Sequence, residues 1–457
     1  MPETTATDLS SLRHELDGAV FMPGDEGWDD ARRAWNLAFD QRPAAVARVA
    51  DAADVARVVD FARERGVRVA AQSTGHGAGG CATFADTILL RTGGLAGIEI
   101  DTAGRRARIE AGVVAADVAV AAGEAGLAAL LGSSPDTGVA GFTLGGGVGW
   151  LGRRYGLACN SVHALEVVTA DGRRRRVDAD TDPDLFFALR GGGGSFGVVT
   201  ALELELYPVA EVYAGMVAWP GEMGSQIAHA YREWVAGVPD EITAQLRFMT
   251  LPPIPELPEP LRGQSLVDVT GAFIGDAAAG EKLMRPLREI EGAVWDTWGM
   301  QPTPALRQLA MDPEEPVPGL GDSVALEELT PEVVDLLVEL AGPEAESPMM
   351  GMQIRLLGGA LGREDEDAGA LPKLDGEHLA FGVGAVFDPA ARPPLESYLD
   401  RIQAELAPYS TGRRVLNFSD RPGEVQAGYR PEIWERLVAV RAKYDPAGMF
   451  VASQPVG

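Results

Sequence analysis

The sequence has 457 residues, of which 46% are hydrophobic and 23% charged. This is the composition of an ordinary globular protein, and the length suits two domains of about 200 residues. The net charge of −28 argues against nucleic-acid binding, because a phosphate backbone would be repelled. With no signal-peptide pattern, no run of about 18 apolar residues and only two cysteines, the sequence predicts a soluble cytoplasmic protein without membrane spans, disulfides or a metal site.

Helix-like and strand-like patterns alternate in the first third of the chain. Apolar residues at helical spacing run from Ala44 to Gly66, and a short strand, VRVAA, follows at 67–71. Three more strand-like runs, TILLRT, GIEID and RRARIEAGV, precede an alanine-rich helical stretch, ADVAVAAGEAGLAAL. This alternation predicts an α/β or α+β fold.

A glycine-rich loop, QSTGHGAGG at 72–80, directly follows the first of these strands. Glycines let backbone N–H groups come close to a pyrophosphate, and His76 is the only reactive side chain in the loop. A loop histidine more often caps a turn. Because Gly75 and Gly77 leave the ring no neighbouring side chain to pack against, we interpret His76 as a cofactor residue.

Two further glycine-rich stretches follow. The first, at 133–152, reads SSPDTGVAGFTLGGGVGWLG and has too much glycine for a stable helix or strand, so we expect a bound ligand to order it. The second, at 184–200, reads DLFFALRGGGGSFGVVT. Between them, Asp171 and Gly172 are predicted to turn a hairpin between VHALEVVTA and RRRRVDA.

The pattern GxGxxG occurs three times, beginning at Gly75, Gly147 and Gly192. A dinucleotide-binding βαβ unit needs a strand before the motif, a helix opening inside it and an acid about 20 residues later. None of the three meets all of these requirements, and the last leads straight into a strand-like run. We therefore expect no nicotinamide-binding unit.

The composition changes after Pro208, where proline clusters alternate with longer strand-like runs. The runs ITAQLRFMTL, SLVDVTGAFIG, MQIRLLGGA and LAFGVGAVF predict an antiparallel sheet with helices on one face. On MQIRLLGGA, strand alternation places Gln353 and Arg355 on one face, with Met352, Ile354 and Leu356 on the other. Arg355 is then either a substrate contact or a surface or ion-pair residue. Near the end, PEIWERLVAVRAKYDPAGMF predicts a helix closed by Asp445 and Pro446.

Taken in order, these segments resemble the vanillyl-alcohol-oxidase type of FAD enzymes with a PCMH-type FAD-binding domain, within the berberine-bridge-enzyme-like group. The matching stretches also include PGDEGWDDARRAWN at 23–36 and the terminal NFSD and YDPAGMF. The resemblance implies an α+β, two-domain fold. A substrate domain at 209–411, built on an antiparallel sheet covered by helices, would be inserted into an FAD-binding domain formed by 1–208 and 412–457.

The resemblance also implies FAD as the cofactor, bonded covalently through His76. Members with a second link use a cysteine at the position of Ser134, and a serine hydroxyl is a far poorer nucleophile, so single attachment is expected. Cys81 and Cys159 match no attachment position and are expected to be packed small residues. The implied FAD-contacting residues are Ser73, Thr74, Gly75, His76, Gly77, Ala78, Ser134, Pro135, Asp136, Gly138, Gly141, Gly145, Gly146, Gly149, Val198, Val199 and Asn417.

The activity implied by the resemblance is that of an oxidase, which passes hydride from a C–H bond of a small molecule to the flavin and electrons to O₂. A secondary metabolite or a sugar alcohol would be the substrate. Gln353 and Arg355 are the catalytic candidates on the substrate side, and Thr137 is small enough to leave O₂ a path to the flavin.

The proton acceptor is not identified by the resemblance. Members that oxidise alcohols often have tyrosines in a Y-x-N-Y segment, where this chain has Val415, Leu416, Asn417 and Phe418, and phenylalanine cannot accept a proton. Two alternatives to the oxidase stay open: a covalent-flavin dehydrogenase or oxidative cyclase of secondary metabolism that uses O₂ poorly, and a flavin-free binding protein with a degenerate site.

Overall fold

The computed structural model describes residues 8–80, 84–251, 255, 259 and 262–457. Cys81 and most of the proline cluster at 251–260 lie outside the described residues. The strands are β1 Ala19–Phe21, β2 Ala45–Arg48, β3 Arg68–Gln72, β4 Thr87–Arg91, β5 Ile98–Asp101, β6 Arg106–Glu110, β7 Val162–Val168, β8 Arg174–Val177, β9 Val198–Glu205, β10 Glu211–Pro220, β11 Ile242–Thr250, β12 Ser265–Phe273, β13 Trp295–Asp296, β14 Gly299–Pro302, β15 Gly319–Leu326, β16 Gly351–Leu356 and β17 His378–Ala385. The α-helices are α1 Trp28–Arg32, α2 Ala52–Arg65, α3 Ala115–Glu124, α4 Val139–Leu144, α5 Gly152–Tyr155, α6 Pro183–Leu189, α7 Gly224–Val235, α8 Ala277–Arg288, α9 Pro331–Ala341, α10 Arg392–Leu406 and α11 Pro431–Tyr444.

A four-stranded sheet in the order β1-β2-β4-β3 carries the histidine loop at the end of β3. Helix α2 begins where the Asp51 side chain accepts two backbone N–H groups and ends at Gly66, whose φ is 64°. The helix predicted for 44–66 is therefore wrong over its first part, since 45–48 form β2. This strand is parallel to β4 and its first three residues are buried, so its side chains are apolar without the alternation that marks a half-buried strand.

A five-stranded antiparallel sheet follows, in the order β5-β6-β9-β7-β8. The hairpin predicted at Asp171 and Gly172 is confirmed, with Gly172 at φ 76°. The prediction that 133–152 contains no regular element is wrong, because α4 lies inside it. Val139, Ala140 and Leu144 of α4 are buried in the main core, and this packing offsets the poor helix propensity of the surrounding glycines.

The third sheet is eight-stranded, and every strand pair in it is antiparallel, with the central order β10-β12-β11-β16-β17-β15. Apolar side chains on one face pack against α7, α8, α9 and α10, which confirms the predicted sheet with helices on one side. The opposite face is polar. In the register of β11 and β16, Gln245 lies opposite Arg355 and Arg247 lies opposite Gln353, so all four side chains share this face.

The end of the chain returns to the first sheet. Val69 of β3 donates its N–H to the Met449 carbonyl and accepts from the Val451 N–H. Helix α11, just before this contact, confirms the predicted terminal helix. The proposed domain limits at 208 and 411 stay a prediction.

Arg153 of α5 joins the glycine-rich half of the chain to the eight-stranded sheet. Its Nε donates to the Ile242 carbonyl at 2.7 Å, Nη1 donates to the Leu357 carbonyl, and Nη2 donates to the Pro239 carbonyl at 3.4 Å. The side chain is 5% exposed, and burial lowers its pKa. A single guanidinium thus holds the start of β11 and the end of β16 against α5.

Cys159 is buried, as expected for a packed small residue, and burial raises the pKa of its thiol to about 12. Among the described residues, no helix combines the length and apolar character needed to span a membrane. Within the same part of the chain, no group of three or more His, Cys, Asp or Glu side chains is arranged to hold a metal ion.

Candidate active site

His76 is held by two contacts at the tip of the loop that follows β3. Its ring stacks on Trp35, with ring centroids 3.8 Å apart and an interplanar angle of 16°. Its Nε2 lies 3.0 Å from Oδ1 of Asp136. Within the described residues Nδ1 has no hydrogen-bond partner. The ring is therefore fixed in orientation, with one nitrogen engaged and the other free.

Asp136 determines which nitrogen of His76 is free to react. The Ser134 hydroxyl donates to the same Oδ1 at 2.9 Å, while Oδ2 is buried and has no partner among the described residues. An ionised carboxylate can only accept, so Nε2 of His76 carries the hydrogen. The lone pair of the neutral ring then lies on Nδ1.

The backbone of the same loop forms a cradle of free donors. In the described part of the chain, the N–H groups of Thr74, Gly75, His76 and Gly77 donate to no acceptor. Gly75 has a φ of 97°, and a Cβ added to it would lie 2.9 Å from the Cβ of Ala34. Consecutive free N–H groups in such a turn are suited to bind a pyrophosphate. The loop therefore fits the phosphate end of an FAD molecule.

The segment 133–138 lies beside this loop. It is held from behind, since the carbonyls of Pro135 and Thr137 accept the N–H groups of Ala116 and Ala115. Gly138 approaches Ser73 so closely that an added Cβ would lie 2.7 Å from the Ser73 hydroxyl oxygen. The structure thus brings these two segments together, although about 60 residues separate them in the sequence.

Asn417 contacts helix α4 and the glycine-rich turn that follows it. The Asn417 side chain accepts the Gly147 N–H at 2.8 Å and donates to the Phe142 carbonyl at 3.2 Å. Gly145 and Gly146 border this amide, and Gly146 has a φ of 119°. Asn417 therefore ties the end of the chain to α4 and its following turn.

The other predicted cofactor residues differ in their surroundings. A Cβ on Gly141 would point into open space, whereas one on Gly149 would strike the Leu131 carbonyl. Val198 and Val199 lie at the start of β9 with their side chains in the core, so only their backbone can face a ligand. Ala78 and Pro135 are also buried.

Gln353 and Arg355 point toward this region from the polar face of the eight-stranded sheet, and alternation along β16 is confirmed by its burial pattern. Arg355 donates from Nε and Nη2 to Oε1 of Gln353, at 3.0 and 2.7 Å. Its Cζ lies 4.7 Å from the ring centroid of Phe418 and 6.0 Å from that of Trp150. Arg355 therefore lies between the two halves of the protein and is not a surface residue.

Asp420, two residues after Phe418, borders both the histidine loop and the sheet. A Cβ added to Gly79 would strike the backbone carbonyl oxygen of Asp420, so the two residues are in close contact. The Oδ2 atom of Asp420 accepts the Gly321 N–H at 2.9 Å. Burial raises the pKa of Asp420 to about 7, the Gly321 N–H opposes this, and the Asp322 charge adds to it. As a whole residue Asp420 is half-buried.

Several residues of this region are absent from the sequence-based set. The sequence gives little reason to select Trp35, because the stretch at 23–36 resembles the family but contains no motif that points to this residue. Asp420 follows the atypical Phe418, and its elevated pKa depends on packing that the sequence does not display. Ser133 and Asp312, which are joined by a 2.8 Å hydrogen bond, are 179 residues apart.

Comparison with known proteins gives these features a context. Residues 43–178 match the family model described as an FAD binding domain. The chain is 40% identical over 220 residues to (R)-6-hydroxynicotine oxidase of Paenarthrobacter nicotinovorans. That alignment covers 48% of this chain and 47% of the relative, so the matched region spans about half the length of that protein.

Solved structures match over nearly the whole chain. The structure of 6-hydroxy-D-nicotine oxidase from Arthrobacter nicotinovorans superposes with a TM-score of 0.81 at 26% identity, covering 95% of this chain and 96% of that one. A berberine-bridge-enzyme-like protein of Physcomitrella patens superposes with a TM-score of 0.85 at 21% identity, covering 99% of both chains. The predicted two-domain PCMH-type fold is confirmed by these likenesses.

Proposed function

We propose that this chain, which is similar to FAD-linked oxidoreductases of the vanillyl-alcohol-oxidase type, is an oxidase that takes hydride from a small organic molecule and passes electrons to O₂. The observation that carries the proposal is the loop at 72–80. Its free backbone N–H groups are suited to a pyrophosphate, and His76 beside them presents an unengaged Nδ1.

We propose that FAD is attached covalently through Nδ1 of His76. The contacts with Trp35 and Asp136 support this assignment, because they fix the ring and leave Nδ1 as the nucleophilic atom. Ser134, at the position of a second link in some relatives, donates its hydroxyl to Asp136 instead. The attachment is therefore single.

The chain's own residues have separate parts in this reaction. Bound FAD supplies the hydride acceptor. Gln353 and Arg355 orient the substrate from the sheet, and Thr137, half-buried in the segment beside the histidine loop, leaves O₂ a path. Asp420 is the proton acceptor in place of the tyrosine missing at Phe418, because its pKa of about 7 suits a general base at neutral pH.

The finer features are proposals of the same kind. The proposed FAD-contacting set is Ser73, Thr74, Gly75, His76, Gly77, Ala78, Ser134, Pro135, Asp136, Gly138, Gly141, Gly145, Gly146, Gly149, Val198, Val199 and Asn417, with the two valines contributing backbone only. A secondary metabolite or sugar alcohol as substrate, and a cytoplasmic location, stay predictions from the sequence.

Acid precipitation and intact-mass measurement test the function directly. We expect a yellow protein that keeps its flavin in acid, with a mass greater than that of the polypeptide by one FAD, and a colourless precipitate from His76→Ala. Turnover that releases H₂O₂ supports the oxidase. Flavin that is reduced by substrate but reoxidised slowly in air supports the dehydrogenase alternative, and a protein that binds no flavin contradicts the proposal.

A further inference from the structure

Two arginines lie on the polar face of the eight-stranded sheet, and their surroundings differ. Arg247 donates from Nε to both carboxylate oxygens of Asp268, at 3.0 and 3.1 Å. Its other nitrogens donate to the Thr270 hydroxyl at 3.0 Å and to the Ala310 carbonyl at 2.6 Å. Arg247 is 1% exposed, and it forms an ion pair with Asp268 inside the protein.

Arg355 has no such neutralising partner. Both of its hydrogen bonds of ordinary length go to the neutral oxygen of Gln353, and a third, to the Ser133 hydroxyl, is 3.5 Å long. Among the described residues no carboxylate lies within 4.0 Å of it, and its Nη1 has no acceptor. Burial lowers the pKa of Arg355 to about 10. A half-buried guanidinium without a counterion is costly unless a ligand supplies the opposite charge.

In the described part of the chain, the carboxylate whose charge acts on Arg355 is that of Asp312, and it is already engaged. Asp312 accepts the Ser133 hydroxyl at 2.8 Å, so Ser133 lies between the two charges. Asp312 is half-buried, and no atom of its carboxylate lies within 4.0 Å of the Arg355 guanidinium. The positive charge at Arg355 is therefore only partly offset.

Aromatic rings lie near the guanidinium of Arg355, while its Nη1 has no acceptor among the described residues. Phe418 lies beside the guanidinium, with Trp150 more distant, and Phe381 meets Phe418 edge to face at 5.4 Å between centroids. The Nη1 edge stays open, and a planar oxyanion binds such an edge in the plane of the guanidinium. Gln245, directly opposite Arg355 in the strand register, has both amide atoms buried without a partner among the described residues.

We propose that the oxidised substrate carries a carboxylate, which binds Nη1 of Arg355 with the Gln245 amide as the neighbouring polar group, while its apolar part lies against Phe418. This inference rests on the proposed function, because it places the carboxylate in the substrate site of the oxidase. It narrows the substrate class to organic acids that also bear the oxidisable C–H bond.

The test compares benzoate with its neutral isostere benzamide as ligands of the purified holoprotein. Binding is followed by the change in the visible flavin spectrum and, independently, by isothermal titration calorimetry, which needs no flavin. We expect benzoate to bind at least about tenfold more tightly than benzamide, as one charge-assisted hydrogen-bonded contact provides. Arg355→Met should abolish that preference without weakening benzamide, and Arg355→Lys should retain part of it.

Arg42→Met, which removes a 79% exposed guanidinium, is the matched control and should behave as the wild type. Equal binding of the two probes, no binding of benzoate, or an undiminished benzoate preference in Arg355→Met with its flavin retained would each overturn the carboxylate site. A colourless protein that still binds benzoate more tightly than benzamide in calorimetry would contradict the proposed oxidase function but support the carboxylate site. Failure of the proposed function and failure of the carboxylate site are therefore distinguishable.

Discussion

His76 and Asp136 face each other across 3.0 Å, with the Nε2–H of the imidazole directed at a carboxylate oxygen that also accepts the Ser134 hydroxyl. This pairing fixes the ring as the tautomer whose Nδ1 can form a bond to carbon. We expect Asp136 to act as a positioning residue for the proposed cofactor attachment, with an effect that is separable from cofactor binding.

The first prediction is that Asp136→Ala slows covalent attachment by about a hundredfold, while FAD still binds noncovalently. A hundredfold is the rate enhancement that a positioned proton-accepting group usually contributes. To measure this rate, apoprotein is mixed with FAD, and samples taken over time are run on denaturing gels. The flavin fluorescence that stays with the protein band reports covalent attachment. Asp117→Ala, which removes an exposed carboxylate from α3, is the control and should attach at nearly the wild-type rate. If Asp136→Ala attaches as fast as the control, the carboxylate does not activate His76.

The second prediction concerns pH. Because the pKa of Asp420 is raised to about 7 and only the carboxylate can accept a proton, flavin reduction by substrate should become faster as pH rises through about 7. Asp420→Asn should be slow at every pH and lack this rise. Anaerobic stopped-flow measurements of flavin reduction between pH 5 and 9 test this prediction. If the variant has the same pH profile as the wild type, Asp420 is not the proton acceptor.

The same carboxyl should affect stability with a defined sign. Its pKa in the folded protein, about 7, lies above the usual value of 3.8, so the folded state holds the proton more tightly than the unfolded state. The contribution is present below pH 3.8 and is lost as pH rises to about 7. In denaturant unfolding, the free energy of unfolding of Asp420→Asn relative to that of the wild type should therefore increase as the pH rises from 4 to 7. A constant difference across this range would contradict the raised pKa.

The third prediction concerns oxygen. Thr137→Leu adds bulk beside the proposed flavin position, and a barrier of about 1.4 kcal/mol to O₂ approach slows reoxidation about tenfold. Anaerobic reduction by substrate should change little, because O₂ takes no part in that step. Thr137→Val, of nearly the same volume as threonine, is the control. Equal reoxidation rates in all three proteins would show that Thr137 does not control O₂ access.

The fourth prediction concerns the contact between α5 and the eight-stranded sheet. Arg153→Met removes three hydrogen bonds to backbone carbonyls and leaves the acceptors of Ile242 and Leu357 buried, so we expect a loss of about 3 kcal/mol in the free energy of unfolding. Arg153→Lys should recover only part, since an ammonium cannot reach all three carbonyls. Arg154→Met, on the exposed side of the same helix, should unfold like the wild type.

Local patterns in the sequence predicted those elements whose determinants are themselves local. The alternation of Gln353 and Arg355 and the turn at Gly172 follow from short-range rules, and both are confirmed. The strand β2 was missed because its small apolar residues are buried without alternation and its pairing partner lies some 40 residues ahead. The stacking of Trp35 on His76 and the elevated pKa of Asp420 arise from tertiary packing, which no local pattern encodes.

The return of the chain to β3 has a consequence for biosynthesis. Asn417 supplies the amide that anchors the Gly147 turn, and Val69 pairs with residues 449–451, so both contacts join early segments to late ones. During translation the histidine loop leaves the ribosome more than 300 residues before these partners. The contacts that complete the cofactor cradle therefore form only after residues 417–451 have been synthesised, so we expect FAD to bind after these late segments are made and not while the histidine loop emerges.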